Sequence, residues 1–200
     1  VMLPTLSNSL AKNGLQGGEW AVGIPGTLGG AIYMNAGTGN LSLAKNLISV
    51  KVFNNKTLEK LEIEKKDINF EYRFSSFQNN HLAIISAKLH FEPNGKIEKL
   101  IQTTKNNLKS KTEKQPYHLP SFGSVFKNPE NSYAAKLIDD MGLKGYKIGD
   151  AEISKMHSNF IINNSSASAK DIYDLITVIQ QKILQNKGIC LQPEVRMIGF

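Results

Sequence analysis

The chain has one cysteine, Cys190, in 200 residues. No internal disulfide can form, and the pattern fits a reducing compartment. Cys190 itself reads as a small buried apolar residue rather than a nucleophile. Long apolar runs are also missing. None approaches the ~20 residues a membrane helix needs, and no secretory signal is visible. The four histidines, His81, His90, His118 and His157, show no metal-ligand spacing with each other or with Cys190, so no metal is expected. Aromatic residues make up only 8% of the chain and do not interleave with basic ones, which argues against a single-strand nucleic-acid face. Neither Gly-x-Gly-x-x-Gly nor a Gly-Lys-Ser/Thr loop occurs, so the two commonest nucleotide fingerprints do not apply. No internal repeat or low-complexity linker interrupts the chain.

What remains is an ordinary globular balance, 40% hydrophobic and 20% charged, long enough for one or two domains. The net charge of +7 would draw an anionic small molecule or a nucleic acid. The densest basic cluster, Lys105, Lys109, Lys111 and Lys114, reads more simply as a solvated helix end.

One segment departs from this balance. Residues 23–37 read Gly-Ile-Pro-Gly-Thr-Leu-Gly-Gly-Ala-Ile-Tyr-Met-Asn-Ala-Gly, with five glycines. Glycine costs backbone entropy, which a chain accepts where it turns tightly or where a ligand must touch backbone. The interleaved Ile24, Leu28, Ala31, Ile32 and Met34 point to a buried, ligand-facing loop with free N–H groups. A turn-rich core loop without a ligand is an equal alternative.

Periodicity places strands at 47–54 and 81–91 and a hairpin over 48–64 that turns at Asn54-Asn55-Lys56. A helix over 96–109 puts Ile97, Leu100, Ile101 and Leu108 on one face, with Pro116 beyond its end. Ser132 is expected to begin a short helix with Leu137, Ile138 and Met141 inward and Gly142 as its cap. Ser168 and Asp171 have capping-box spacing ahead of a helix carrying Ile172, Leu175, Ile176, Ile179 and Ile183, ended by Gly188. A final strand is expected through Val195 and Ile198. Strands and helices mix without regular βαβ alternation, so the class is α+β. The basic polar run 109–115 suggests two domains, 1–112 and 113–200.

Three polar stretches look chemical. In Tyr72-Arg73-Phe74-Ser75, a guanidinium held against aromatics could stabilise an oxyanion or could merely stack at the surface. In the proline-bracketed run 119–129, Ser124 beside Gly123 could meet a ligand or could satisfy a turn. In Gln192-Pro-Glu-Val-Arg196, Glu194 lies in a short apolar run, where it could be buried for chemistry or paired with Arg196.

These stretches, with three others, resemble the UDP-N-acetylenolpyruvoylglucosamine reductase family. The matching motifs are the glycine segment 23–37, Tyr72-Arg-Phe-Ser75, the Pro120–Pro129 run, Met141-Gly-Leu-Lys-Gly with Gly149-Asp-Ala, His157-Ser-Asn-Phe-Ile-Ile-Asn163, and Pro193-Glu-Val-Arg196. They occur in the family's order and cover nearly the whole chain. The resemblance implies an FAD-binding domain of the vanillyl-alcohol-oxidase type, followed by a C-terminal substrate domain. It implies FAD as cofactor, NADPH as hydride donor and a UDP-sugar as substrate, with no nucleic-acid or membrane partner. Arg73, Ser124 and Glu194 become the catalytic three. Ile24, Pro25, Gly26, Thr27, Gly29 and Gly30, with Asn35, Ala36 and Gly37, lie along the flavin, and Lys127 and Asn128 meet the nucleotide sugar. The short interval between Arg73 and Ser124 matches the compact class, which lacks an added substrate-covering loop. Phe122 stands where the family carries a small residue, which narrows the space beside Ser124. The family's glycine-rich pyrophosphate loop has no counterpart here and is expected before Val1, so the sequence reads as a piece of a longer protein. A related flavin oxidoreductase with another substrate, and a basic nucleic-acid-binding domain, are the competing readings.

Overall fold

The structure, a computed structural model, describes residues 1–199. The chain separates into two compact units, residues 1–110 and 111–200.

The first unit opens with α1 (Leu3–Lys12), whose Leu3, Ser7, Leu10 and Ala11 face inward at helical spacing. A tight helical turn, Glu19–Gly23, buries Trp20, Ala21 and Val22. Next come α2 (Leu28–Tyr33) and two two-residue strands, β1 (Gly37–Thr38) and β2 (Leu41–Ser42), which pair with each other. The main sheet is β3 (Leu47–Asn54), β4 (Glu59–Glu64) and β7 (Leu82–Leu89), antiparallel in the order β4-β3-β7. The β3–β4 turn is held by Asn54, whose Oδ1 accepts from the N–H groups of Lys56 and Thr57. Between β4 and β7 lies a small hairpin of β5 (Phe70–Glu71) and β6 (Phe74–Ser75). Val50 and Val52 of the central strand are fully buried among Leu3, Trp20, Ile32, Leu43 and Phe77. Helix α3 (Ile97–Lys114) buries Leu100 and Thr104, and the division between the units falls inside it.

The second unit is a four-stranded antiparallel sheet backed by helices. Its strands are β8 (Ser121–Ser124), β9 (Lys147–Ile148), β10 (Ala151–Ile153) and β11 (Phe160–Asn163), in the order β8-β11-β10-β9. Helix α4 (Ala134–Asp140) and the long α5 (Ala169–Lys187) supply the apolar cover. Leu175, Ile176, Ile179 and Ile183 recur at three- and four-residue intervals and pack with Ile138, Ile153 and Ile161. The helix is fixed at both ends. Ser168 Oγ accepts from Asp171 N–H, Asp171 returns a bond to Ser168 N–H, and Gly188 closes it in the left-handed region at φ 67°. On β9 and β10, Lys147 and Glu152 stand opposite each other and pair at 3.1 Å. Burial opposes ionisation of Glu152. The Asn164 amide at 2.7 Å and the Lys147 ammonium outweigh it and hold the carboxyl below its ordinary value.

Several elements differ from the sequence expectation. Residues 23–37 form α2 and the start of β1 rather than one loop with free N–H groups, and many of their N–H groups are used internally. Leu28 N–H donates to Val1, Ala31 to Thr27, Met34 to Gly30 and Ala36 to Ala31. Helix α3 runs to Lys114, five residues further than expected, because its lysines and glutamate are good helix formers and Pro116 is the first true breaker. The expected final strand is a single bridge, Phe126 to Pro193, flanked by two hydrogen bonds. Proline has no N–H to extend a ladder, and Ile198 beyond it is 90% exposed. Cys190, expected to be buried, is exposed in the segment after α5.

Candidate active site

In the first unit, the candidate site is the turn of the β5–β6 hairpin. Tyr72 and Arg73 connect the two strands, and Arg73 adopts φ 55°, a left-handed conformation that a long side chain rarely takes. Its guanidinium carbon lies 5.0 Å from the centroid of the Tyr72 ring, a cation–π distance. Gln78 Nε2 donates to Arg73 O at 3.2 Å and to Tyr33 O at 2.9 Å. Ser75, fully buried, also donates to Tyr33 O at 2.7 Å. The hairpin is thereby tied to the end of α2.

The residues expected along a flavin divide into two kinds. Around Gly26 the backbone is open: its φ is 148°, and a Cβ placed there meets nothing within 4 Å. Pro25, Thr27 and Gly30 are exposed. Thr27 Oγ1 caps α2 by accepting from Gly30 N–H at 3.1 Å, and among the described residues no acceptor meets Gly29 N–H. Open glycine backbone with a spare donor is compatible with an elongated anionic cofactor approaching closely. Asn35 and Gly37, by contrast, are held by the scaffold. Asn35 is buried, donates to Glu71 O at 2.8 Å and accepts from Ala44 N–H at 3.3 Å. Gly37 is packed against the backbone of Leu41 so closely that a Cβ has no room. Ala36 N–H and O are both used, by Ala31 and Leu43.

In the second unit, the candidate residues converge on one strip of backbone. Ser124 ends β8, opposite Phe160 of β11. Gly123 before it has φ 85° and sits where the β8–β11 register slips, so the chain needs glycine there. After Ser124, residues 125–127 run beside residues 192–194. Glu194 N–H donates to Val125 O at 2.8 Å, and Lys127 N–H donates to Gln192 O at 2.9 Å. Ser124 and Glu194, seventy positions apart in sequence, thus flank the same short pairing. Lys127 is half-buried, and Asn128 Oδ1 accepts from Ala134 N–H at the start of α4. Phe122 is 43% exposed.

Two polar residues of the motif 157–163 have a part here that the sequence reading did not assign. Asn159, 3% exposed, bonds both backbone groups of Phe126 through its side chain. His157 Nδ1 accepts from Asn159 N–H at 3.3 Å, and its ring meets Phe160 edge-on with centroids 4.8 Å apart. Burial, and after it the charge of Lys144, hold this imidazole below its ordinary value, although a backbone hydrogen bond works the other way. The available signal was an asparagine placed at the head of an apolar run, Asn159-Phe-Ile-Ile.

Comparisons with known proteins agree with one another. The family model described as "UDP-N-acetylenolpyruvoylglucosamine reductase, C-terminal domain" matches residues 115–198. A UDP-N-acetylenolpyruvoylglucosamine reductase from Prochlorococcus marinus subsp. pastoris is 73% identical over 200 residues, covering 100% of this chain and 68% of that protein. A relative of the same name from a Synechococcus strain is 46% identical, covering 99% of this chain and 64% of its own length. The crystal structure of the UDP-N-acetylenolpyruvylglucosamine reductase of Thermus caldophilus superposes with a TM-score of 0.85 at 32% identity, covering 98% of this chain and 69% of that one. The chain therefore spans about two thirds of the length of these relatives. With the motif order, the α+β fold and the match across its whole length, it belongs to the UDP-N-acetylenolpyruvoylglucosamine reductase family.

Proposed function

We propose that the chain carries the flavin-dependent reduction of UDP-N-acetylenolpyruvoylglucosamine to UDP-N-acetylmuramate, a step of peptidoglycan precursor synthesis in the bacterial cytoplasm. The observation that supports this reading is the backbone pairing of 125–127 with 192–194, which brings the segments bearing Ser124 and Glu194 together within one unit. The reaction adds a hydride and a proton across an enolpyruvyl double bond. Bound FAD, with NADPH as donor, would supply hydride chemistry at the enolpyruvyl group. The open backbone of residues 24–30 is the part of this chain suited to hold the cofactor.

The chain's own work is charge and proton handling at C2. Negative charge arises there and spreads into the substrate carboxylate. Arg73 is suited to that charge as a permanent cation with a planar donor fork. Ser124 donates its hydroxyl proton to C2, and Lys127, three residues on, supplies a cation to compensate the alkoxide left behind. Glu194 serves at the substrate carboxylate in its protonated form. Asn128 and Lys127 contribute to holding the nucleotide sugar.

The test separates the two half-reactions by stopped-flow absorbance of the flavin band in the whole enzyme. In Ser124→Ala, NADPH should bleach the flavin at a near-normal rate, because no proton is needed at C2 in that step. Reoxidation by the enolpyruvyl substrate should slow by about the 10²–10⁴-fold typical of a lost general acid. Reoxidation at the wild-type rate removes Ser124 from the mechanism.

A further inference from the structure

We propose that Asn159 is a positioning residue for this reaction, its carboxamide clamping the Phe126 peptide so that Ser124 and Glu194 keep their spacing. The proposal rests on the reductase reading of those two residues. Asn159 Oδ1 accepts from Phe126 N–H at 3.0 Å, and Asn159 Nδ2 donates to Phe126 O at 2.9 Å. Its own main-chain oxygen accepts from Val125 N–H at 2.9 Å. From the other edge, Val125 O accepts from Glu194 N–H and Lys127 N–H donates to Gln192 O. Residues 125–127 are therefore held from both sides.

The chemistry of the side chain explains why it is asparagine. A carboxamide has one acceptor and one donor group spaced like a peptide, so it can replace a strand neighbour where no strand exists. β11 begins only at Phe160, and its register with β8 slips before Ile162. Its regular ladder does not reach Phe126, and the Asn159 side chain supplies the missing rung. Aspartate, the same shape, accepts but cannot donate when ionised. Alanine leaves both buried peptide groups of Phe126 without this partner. His157 supports the clamp from behind by accepting from Asn159 N–H. Asn159 acts through backbone alone and has no assigned contact with substrate. Its loss should therefore displace Ser124 and Glu194 together, and a misplacement of about 1 Å costs roughly 10²-fold in rate.

The experiment uses the whole enzyme with Asn159→Ala and the isosteric Asn159→Asp. Amide hydrogen exchange is followed residue by residue, alongside kcat and KM for the enolpyruvyl UDP-sugar. In both variants, exchange at Lys127 and Glu194 should rise at least about tenfold while β10 and α5 keep their protection. The kcat should fall roughly 10²-fold, with KM within about threefold of wild type. Exchange that rises throughout the second unit in both variants makes Asn159 merely structural and overturns the proposal. So does unchanged protection at Glu194, or a kcat near wild type. A wild-type enzyme that fails to reduce this substrate removes the reductase reading and the catalytic half of the proposal with it; the exchange pattern still decides whether the clamp exists.

Discussion

At the scale of single residues, Arg73 is defined by its backbone strain and His157 by its burial. Arg73 has a backbone conformation that costs an L-residue ~1–2 kcal/mol. Strain of this kind persists where the side chain is needed for something other than stability. Arg73→Gly removes the strain and also the Tyr72 stacking and some chain stiffness, which offset it by about the same amount. Its thermal midpoint should stay within a few degrees of wild type while turnover is lost. Arg73→Lys keeps the charge but not the fork, and should lower kcat more than it raises KM. A large drop in midpoint for Arg73→Gly would make the residue structural. His157 gives a pH prediction. Its imidazole is held below its ordinary value of 6.5 by burial. The unfolded chain thus binds a proton that the folded chain refuses, and stability is full above about pH 6.5 and falls as the pH drops below it. Urea midpoints of wild type and His157→Gln should differ less at pH 5.5 than at pH 7.5. A gap that does not change with pH would count against a neutral, buried role.

At the scale of elements, α5 is the clearest case of local sequence fixing local structure. Its N-terminus makes both bonds of a capping box, and its apolar face is buried against the sheet. Ser168→Ala should cost the second unit about 1 kcal/mol, and Ile179→Ala about 2–5 kcal/mol. Equal urea midpoints for Ser168→Ala and wild type would mean that the cap contributes nothing. The same helix shows what could be read in advance. Periodicity, cap and terminal glycine all lie between Ser168 and Gly188, so α5 was legible. The β3–β4 hairpin was legible for the same reason, with its turn signal at Asn54. Helix α1 was not anticipated, because two serines and two asparagines in or just after it weaken its local signal and it packs against the 19–23 turn. The glycine segment was read as a loop, yet six of its residues fold as α2 once Thr27 caps them. Ser124, Glu194 and Arg73 were singled out by residue type and motif. Their backbone setting was not legible, because the pairing of 125–127 with 192–194 joins positions with no sequence signal between them.

At the scale of the molecule, the two units have separate cores and therefore separate roles in the proposed reaction. The first unit holds Arg73 and the open glycine backbone. The second holds Ser124, Glu194 and every hydrogen bond described between their strands. Its core draws on α4, α5 and strands of the same unit, with Leu175, Ile176, Ile179 and Ile183 all within 1% of complete burial. A unit of this size with its own core can unfold cooperatively by itself. Residues 111–200 produced alone should therefore fold, and Glu194 and Lys127 should keep slow amide exchange, because their acceptors travel with them. The isolated unit should not reduce the enolpyruvyl substrate, since Arg73 and the glycine backbone proposed to hold the cofactor are absent from it. Mixing in the first unit as a separate chain should restore little activity, because alignment of the reacting groups then depends on bimolecular encounter instead of covalent linkage. The measurement is amide exchange by NMR on residues 111–200, with a turnover assay on the same sample. Fast exchange at Glu194 in an otherwise folded unit would mean that the Val125–Glu194 pairing depends on the rest of the chain, and the division of labour between the units would fail.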